Sequence, residues 1–380
     1  MQNLTEFEDI RPYTDEETVA AMHRIARHPL GPVILKYLFP KENPLAFSKV
    51  LNSVTGVDDF QDKVMIGAIS AVLARTSEGF SCSGQQNILG LGKPYLAMSN
   101  HRDIVLDPAL IQYAVRTEGL PYTEICVGSN LLSSKLIEDL MRCNRSVKVI
   151  RGISARELYL SSQNLSRYIR GSITGGQASV WIAQREGRTK DGNDTTEQGL
   201  LKMFDLSGGR SFEENFAELN IVPMSISYEY EPCDARKARE LLIKRTNGSY
   251  VKKPNEDTHS ILTGIRQIKG HIHLEIGKPL TSDEIEAAGA LHGNERYQAL
   301  RHTLDERIRA GYRLYKTNYM GWDLMNGTSE YLGVKYLPED LESFRSYTEH
   351  KLGKLESWLD RDALRDIFWH IYGNPVEAVR

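Results

Sequence analysis

The sequence predicts an α/β protein: a mixed, largely parallel sheet flanked by helices, with helical additions at its N- and C-terminal ends. Three observations carry this. Between about residues 81 and 280, short apolar runs alternate with amphipathic helical stretches, the rhythm of helices layered on a sheet. On either side of that span the chain reads as helix alone. The length of 380 residues, 41% hydrophobic and 26% charged, suits one large core with appendages. The expected organisation is a helical region over 1–80, an α/β domain over 81–280 and a helical region over 281–380.

Taken in order, "TDEETVAAMHRIARH" opens on Thr14 as a helix cap with acids in the first turn. "VDDFQDKVMIGAISAVLARTSEGF" repeats the design, with Gly79 as its stop. Its apolar part, Val64 to Ala74, falls short of the roughly 20 residues that cross a bilayer. Strand candidates then follow in "PYLAMS", "YTEICVG", "VKVIRG", "ASVWIA", "NIVPMSISYEY" and "HIHLEIGKPL". Helices such as "DPALIQYAVRT" and "ARELYLSSQNLSRYIRG" separate them. The acidic, polar start is unlike a signal peptide, and the four cysteines, Cys82, Cys126, Cys143 and Cys233, form no CxxC pair. A cytoplasmic protein is expected, at most peripheral on the inner face of a membrane. The net charge of −3 argues against a general nucleic-acid binder.

The stretch "SNHRDIVLDPAL" holds the first candidate chemistry. Asp107-Pro108 reads as a helix opening, with Asp107 at the N-cap and proline at the first helical position. His101 then falls in the loop after the "YLAMS" strand, and such loops line ligand crevices in α/β folds. One reading makes His101 a general base oriented by an aspartate. The other is a capped helix beside an incidental histidine. A kinase catalytic loop is excluded, because its asparagine would fall where Pro108 stands.

Positive charge is segregated downstream. Ten basic residues lie between Arg142 and Lys190, opposed only by Glu157 and Glu186. Arg156, Arg167 and Arg170 read as solvated helix surface. Arg151 closes a strand candidate, while Arg185, Arg188 and Lys190 surround Gly187 in the loop after "SVWIA". Glycine admits close backbone approach and arginine offers a planar fork for phosphate oxygens, so these residues form a candidate phosphate clamp. Glu186 and Gly187 would shape that loop. No G-x-S-x-G elbow is present and no cysteine adjoins His101, so a covalent acyl-enzyme is not required. His271 and His273 share a strand face without a third ligand nearby in the chain, and no metal is expected.

Four blocks in this order, "NHRDIVLDP", "VKVIRG", "WIAQREGRTK" and "NIVPMSI", resemble the glycerolipid acyltransferase superfamily, which includes the glycerol-3-phosphate and 1-acylglycerol-3-phosphate acyltransferases. The first and third blocks are similar to the soluble plastid glycerol-3-phosphate acyltransferases, which also carry a helical N-terminal domain. The likeness covers roughly 81–280. It departs from the family pattern at Leu106, where an H-x4-D motif places its aspartate. Alignment on Asp-Pro makes Asp107 the partner of His101, and Asp103 is the alternative. "EGR" also lacks the residue that usually separates glycine and arginine in the bacterial membrane-bound forms.

The resemblance implies O-acyl transfer in phospholipid synthesis without a cofactor. Acyl-CoA or acyl carrier protein would be the donor, and a phosphate-bearing glycerol or lysolipid the acceptor, with possible contact to a membrane surface and none to nucleic acid. His101 would be the base, assisted by Asp107 or Asp103, while Arg151, Arg185, Arg188 and Lys190 would hold the acceptor phosphate. The rival reading is a non-catalytic anionic phospholipid-binding protein on the same scaffold. A phosphoryl-transfer enzyme is disfavoured because no Walker loop is present.

Overall fold

Strand β2 (Leu96–Ser99) is buried along its whole length and sets the layout of the computed structural model, which describes residues 4–32, 43–132, 134–152 and 154–380. It lies inside a seven-stranded sheet of order β1-β7-β6-β2-β5-β3-β4. The other strands are β1 (Ser77–Ser83), β3 (Glu124–Gly128), β4 (Ser146–Val149), β5 (Val180–Ala183), β6 (Ile221–Tyr228) and β7 (Gly270–Ile276). Only the β6–β7 pair is antiparallel. The carboxyl ends of β2, β3, β4, β5 and β6 therefore meet along one edge, where ligand crevices form in such sheets.

Burial on both faces explains why these strands read as apolar runs rather than alternating ones. On one face Leu96, Met98, Val180, Ile182 and Ile221 pack under α6 (Ala155–Thr174), α7 (Gln198–Leu206) and α10 (Glu295–Ala310). On the other, Ala97, Trp181, Val222 and Met224 meet α4 (Leu106–Thr117), while Ile226 and Tyr228 meet α4 and α3 (Ile66–Thr76). The mixed, mostly parallel sheet between helical layers is the predicted class.

The N-terminal helices form their own cluster, in which α1 (Asp15–Arg27) and α2 (Pro44–Asn52) pack on α5 (Lys135–Cys143). Thr14 caps α1 as expected, in a capping box with Glu17. A third cluster joins α8 (Asp234–Asn247), which follows β6, to α11 (Lys316–Asn326) and α12 (Arg361–Glu377). The remaining helix used below is α9 (Glu256–Arg266). Among the described residues, no helix is long and apolar enough to cross a membrane.

Three expectations need correction. Gly79 stops no helix: α3 ends at Thr76, and Gly79 lies inside β1, beside the register shift that pairs this strand with β7. Its sequence, "SEGFSCS", is too polar to signal a strand because β1 is an edge strand and half of it is exposed. Arg170 is not solvated. It is buried against Glu218, and it donates to the carbonyls of Asn215 and Phe204 and to Ser207 Oγ. Arg151, finally, does not close a strand, since β4 ends at Val149.

Candidate active site

Beyond β2 the chain is held by its neighbours on both sides. Asn100 Oδ1 accepts from Ile226 N (2.8 Å), and its Nδ2 donates to Ile226 O (3.0 Å), so the side chain mimics a strand pairing with β6. On the other side Gln184 N donates to Ser99 O (2.8 Å) and Thr189 N to His101 O (2.9 Å). Trp181 braces the turn from below. Its indole donates to Ser99 Oγ (2.9 Å), and its ring lies edge-on to the His101 imidazole at 5.6 Å.

Asp107 organises the loop. Its Oδ2 lies 2.8 Å from His101 Nδ1 and accepts the backbone N–H groups of Arg102 (2.5 Å) and Asp103 (2.8 Å). Its Oδ1 accepts the Tyr228 hydroxyl at 2.7 Å. Burial, reinforced by the Asp107 charge, raises the Tyr228 pKa well above its ordinary value, so the phenol keeps its proton and donates. A fully buried carboxylate with three such donors is an acceptor toward the imidazole as well. In the neutral ring this acceptor favours the tautomer with the proton on Nδ1, which leaves Nε2 as the lone pair. No partner for Nε2 occurs among the described residues, and the side chain is 13% exposed.

The expected N-cap position of Asp107 is wrong by two residues. Helix α4 begins at Leu106, which places Asp107 within the first turn. Asp103 takes the capping role instead, its Oδ1 accepting from Val105 N and Leu106 N, both at 2.9 Å. The two aspartates divide the work: Asp107 meets the histidine and Asp103 shapes the turn.

A buried charge network supports this loop from the far side. Arg102 pairs with Asp194 (2.5 Å) and Glu231 (3.5 Å), and Lys237 bridges Glu231 (2.5 Å) and Arg102 O (2.9 Å). Burial works against ionising Asp194, yet the Arg102 charge and donors from Thr189, Tyr312 and Asn100 hold its pKa below the usual range. Each buried charge is therefore paired, the condition under which such groups are tolerated.

The predicted clamp residues take different positions. Gly187, at φ +71°, makes the turn that glycine permits. Arg188 is buried just beyond it, near Cys233, and its Nη1 has no hydrogen-bond partner among the described residues. Arg151 lies over Gly128, takes a bond from its own N–H to Ser129 Oγ (3.1 Å), and reaches the loop through Glu186 (3.5 Å). Lys190 turns away to α8, where it pairs with Glu240, and burial pushes its pKa down to about 8. Arg185 is half-buried, and its Nε has no hydrogen-bond partner among the described residues. Asp257 of α9 approaches Arg188 and accepts from Asn130 (3.1 Å) and Lys252 (2.6 Å). His101, Arg188 and Arg151 are thus brought to one end of the sheet, and Lys190 is already paired.

Sequence reasoning missed Tyr228, Asp194 and Trp181 as supports. Tyr228 could have been found by strand period, because Met224, Ile226 and Tyr228 share one face of β6. It also missed that Glu78 and Glu229 join His271, with ligand atoms within 4.8 Å of one another, because β1, β7 and the residue just after β6 supply them from distant parts of the chain. His273 lies between Ser81 Oγ (2.8 Å) and Ser83 Oγ (2.9 Å). All four cysteines are free.

No family model matches this sequence, and no curated protein matches it. Among solved structures the chain is similar to the 1-acyl-sn-glycerophosphate (LPA) acyltransferase PlsC from Thermotoga maritima. The two are 13% identical with a TM-score of 0.40, over 78% of this chain and 94% of that one. At that level of likeness, any functional reading must be carried by the side chains of the site.

Asp103→Ala should remove the cap of α4 and cost about 0.5–2 kcal/mol. Urea denaturation checks this, with an unchanged midpoint as the contrary result.

Proposed function

We propose that the chain is an O-acyltransferase. It would move a fatty acyl group from the thioester of acyl-CoA or acyl carrier protein to the hydroxyl of glycerol-3-phosphate or 1-acylglycerol-3-phosphate. The observation that carries this reading is the His101–Asp107 pair at 2.8 Å, with Nε2 given no partner among the described residues, at the carboxyl end of a parallel strand. The four sequence blocks lend it support, since the first, second and third all reach this end of the sheet.

In the reaction the acceptor's hydroxyl approaches Nε2 and its oxygen attacks the thioester carbon. The C–O bond forms as the proton passes to Nε2, and the resulting imidazolium is stabilised by Asp107. Collapse of the tetrahedral intermediate breaks the C–S bond. The imidazolium then returns its proton to the departing sulfur. The scheme uses no covalent acyl-enzyme, metal or prosthetic group.

Arg188 and Arg151 are suited to the acceptor's phosphate. Arg188 Nη1, with no partner among the described residues, offers a charge-assisted bond at once. Among the described residues the Arg151 guanidinium pairs with Glu186, at 3.5 Å and with the carboxylate largely in solvent, a pair that a phosphate dianion can displace. Lys190, committed to Glu240, would act on this site chiefly through its charge.

His101→Ala should abolish acyl transfer while preserving the fold, as read by free-thiol release and product mass spectrometry; sustained turnover would refute the assignment. Arg188→Ala should raise the acceptor KM by roughly tenfold or more, as expected for loss of a charge-assisted bond of about 1.5–3 kcal/mol, with a smaller change in kcat. An unaltered acceptor KM would place the phosphate elsewhere. Thioester binding without thiol release by the native protein would favour a non-catalytic lipid-binding role.

A further inference from the structure

Two exposed segments lie close in the chain to elements of the site, and both combine apolar and basic side chains. The first is the opening of α6, where Leu158, Tyr159 and Leu160 are 47%, 50% and 54% exposed beside exposed Arg156. The second is the tip between α8 and α9. There Val251 is 84% exposed, and Lys244, Arg245, Lys252 and Lys253 are all exposed. Four basic residues and no acidic one lie between Leu241 and Asn255, a local excess in a chain of net charge −3.

The two segments are joined through the loop after β3. Arg151, just ahead of α6, binds Ser129 (3.1 Å), and Asn130 binds Asp257 (3.1 Å), which in turn pairs with Lys252 (2.6 Å). Against the cost of burial, the Arg188 charge helps hold the Asp257 carboxylate below its ordinary pKa. The segments that carry these apolar side chains are therefore linked by hydrogen bonds to the loop beside Arg151 rather than lying at unrelated places.

We infer that this rim docks on an anionic bilayer surface, with Val251 and the Leu158–Leu160 turn entering the headgroup layer and the basic side chains facing lipid phosphates. Apolar side chains this exposed cost free energy in water and gain it on entering the acyl boundary. Charge complementarity selects the surface: lysines and arginines near an anionic leaflet are each attracted to it. The inference rests on the acyltransferase reading, because it delivers a lysolipid acceptor directly from the membrane to Arg188 and His101.

Vesicle flotation tests it without relying on turnover. Phosphatidylcholine vesicles containing phosphatidylglycerol should retain the protein more strongly than phosphatidylcholine alone. Lys244→Ser/Arg245→Ser/Lys253→Ser should weaken that retention by roughly fivefold for each basic side chain removed. Val251→Ser/Leu158→Ser/Leu160→Ser should weaken it as well, while circular dichroism and turnover on a monodisperse short-chain lysophosphatidate stay at the native level. Equal retention on both vesicle types, or unchanged retention by both variants, overturns the inference. So does normal vesicle binding accompanied by a selective loss of turnover with acyl carrier protein, which would mark the rim as a dock for an acidic protein. Loss of vesicle binding with intact soluble turnover supports the rim, whereas intact vesicle binding with no turnover would sink the acyltransferase reading alone.

Discussion

The Asp107 carboxylate is the interaction on which the site depends. It has no exposed surface, and it collects donors from His101, from two backbone N–H groups and from Tyr228. Each donor does two things. It compensates the cost of burying a charge, and it fixes the piece of chain that bears it. The backbone N–H groups fold the loop back on the helix start. Tyr228 ties the carboxylate to β6, and the imidazole becomes the outermost member, with one nitrogen free to work.

This arrangement needs a rigid surround, and much of that surround comes from the C-terminal helices. Asp194, the partner of Arg102, accepts the Tyr312 hydroxyl on its side chain and Arg309 Nη2 on its carbonyl (2.9 Å). Asn374 Nδ2 of α12 donates to Asp191 O (2.8 Å), and Gly192 packs so closely under the same helix that a β-carbon would lie 2.6 Å from Ile371 O. Lys237 of α8 holds Arg102 O. The loop bearing Arg188 is thereby clamped between the sheet and helices drawn from the last part of the chain. The C-terminal region thus braces the site as well as extending the fold.

Much of the sheet was legible because a strand buried on both faces announces itself as an apolar run between turn residues. β2, β3, β5 and β6 fall within the stretches read as strands, and β4 and β7 begin one residue ahead of theirs. β1 did not, because its polar residues reflect an exposed edge. The His101 loop could be located from sequence, yet the roles of its two aspartates could not be separated. Both are near a helix start, and which one faces the imidazole depends on how the turn closes in space. The same limit applies to charge. A count of basic residues between Arg142 and Lys190 cannot tell that Arg170 is spent on backbone carbonyls or that Lys190 belongs to Glu240, since those partners lie tens of residues away. Positions along a strand can be read locally, but pairing between distant side chains cannot.

The chemistry of the site turns on where one proton sits. Nitrogen-15 NMR of the imidazole, assigned by comparison with a variant lacking His101, reads it directly. At a pH where the ring is neutral, Nδ1 should be protonated, with its proton shifted downfield by the Asp107 carboxylate, and Nε2 should show the shift of a bare lone pair. A neutral ring protonated on Nε2 instead would mean that Asp107 does not orient it, and the proposed base would have no lone pair to offer.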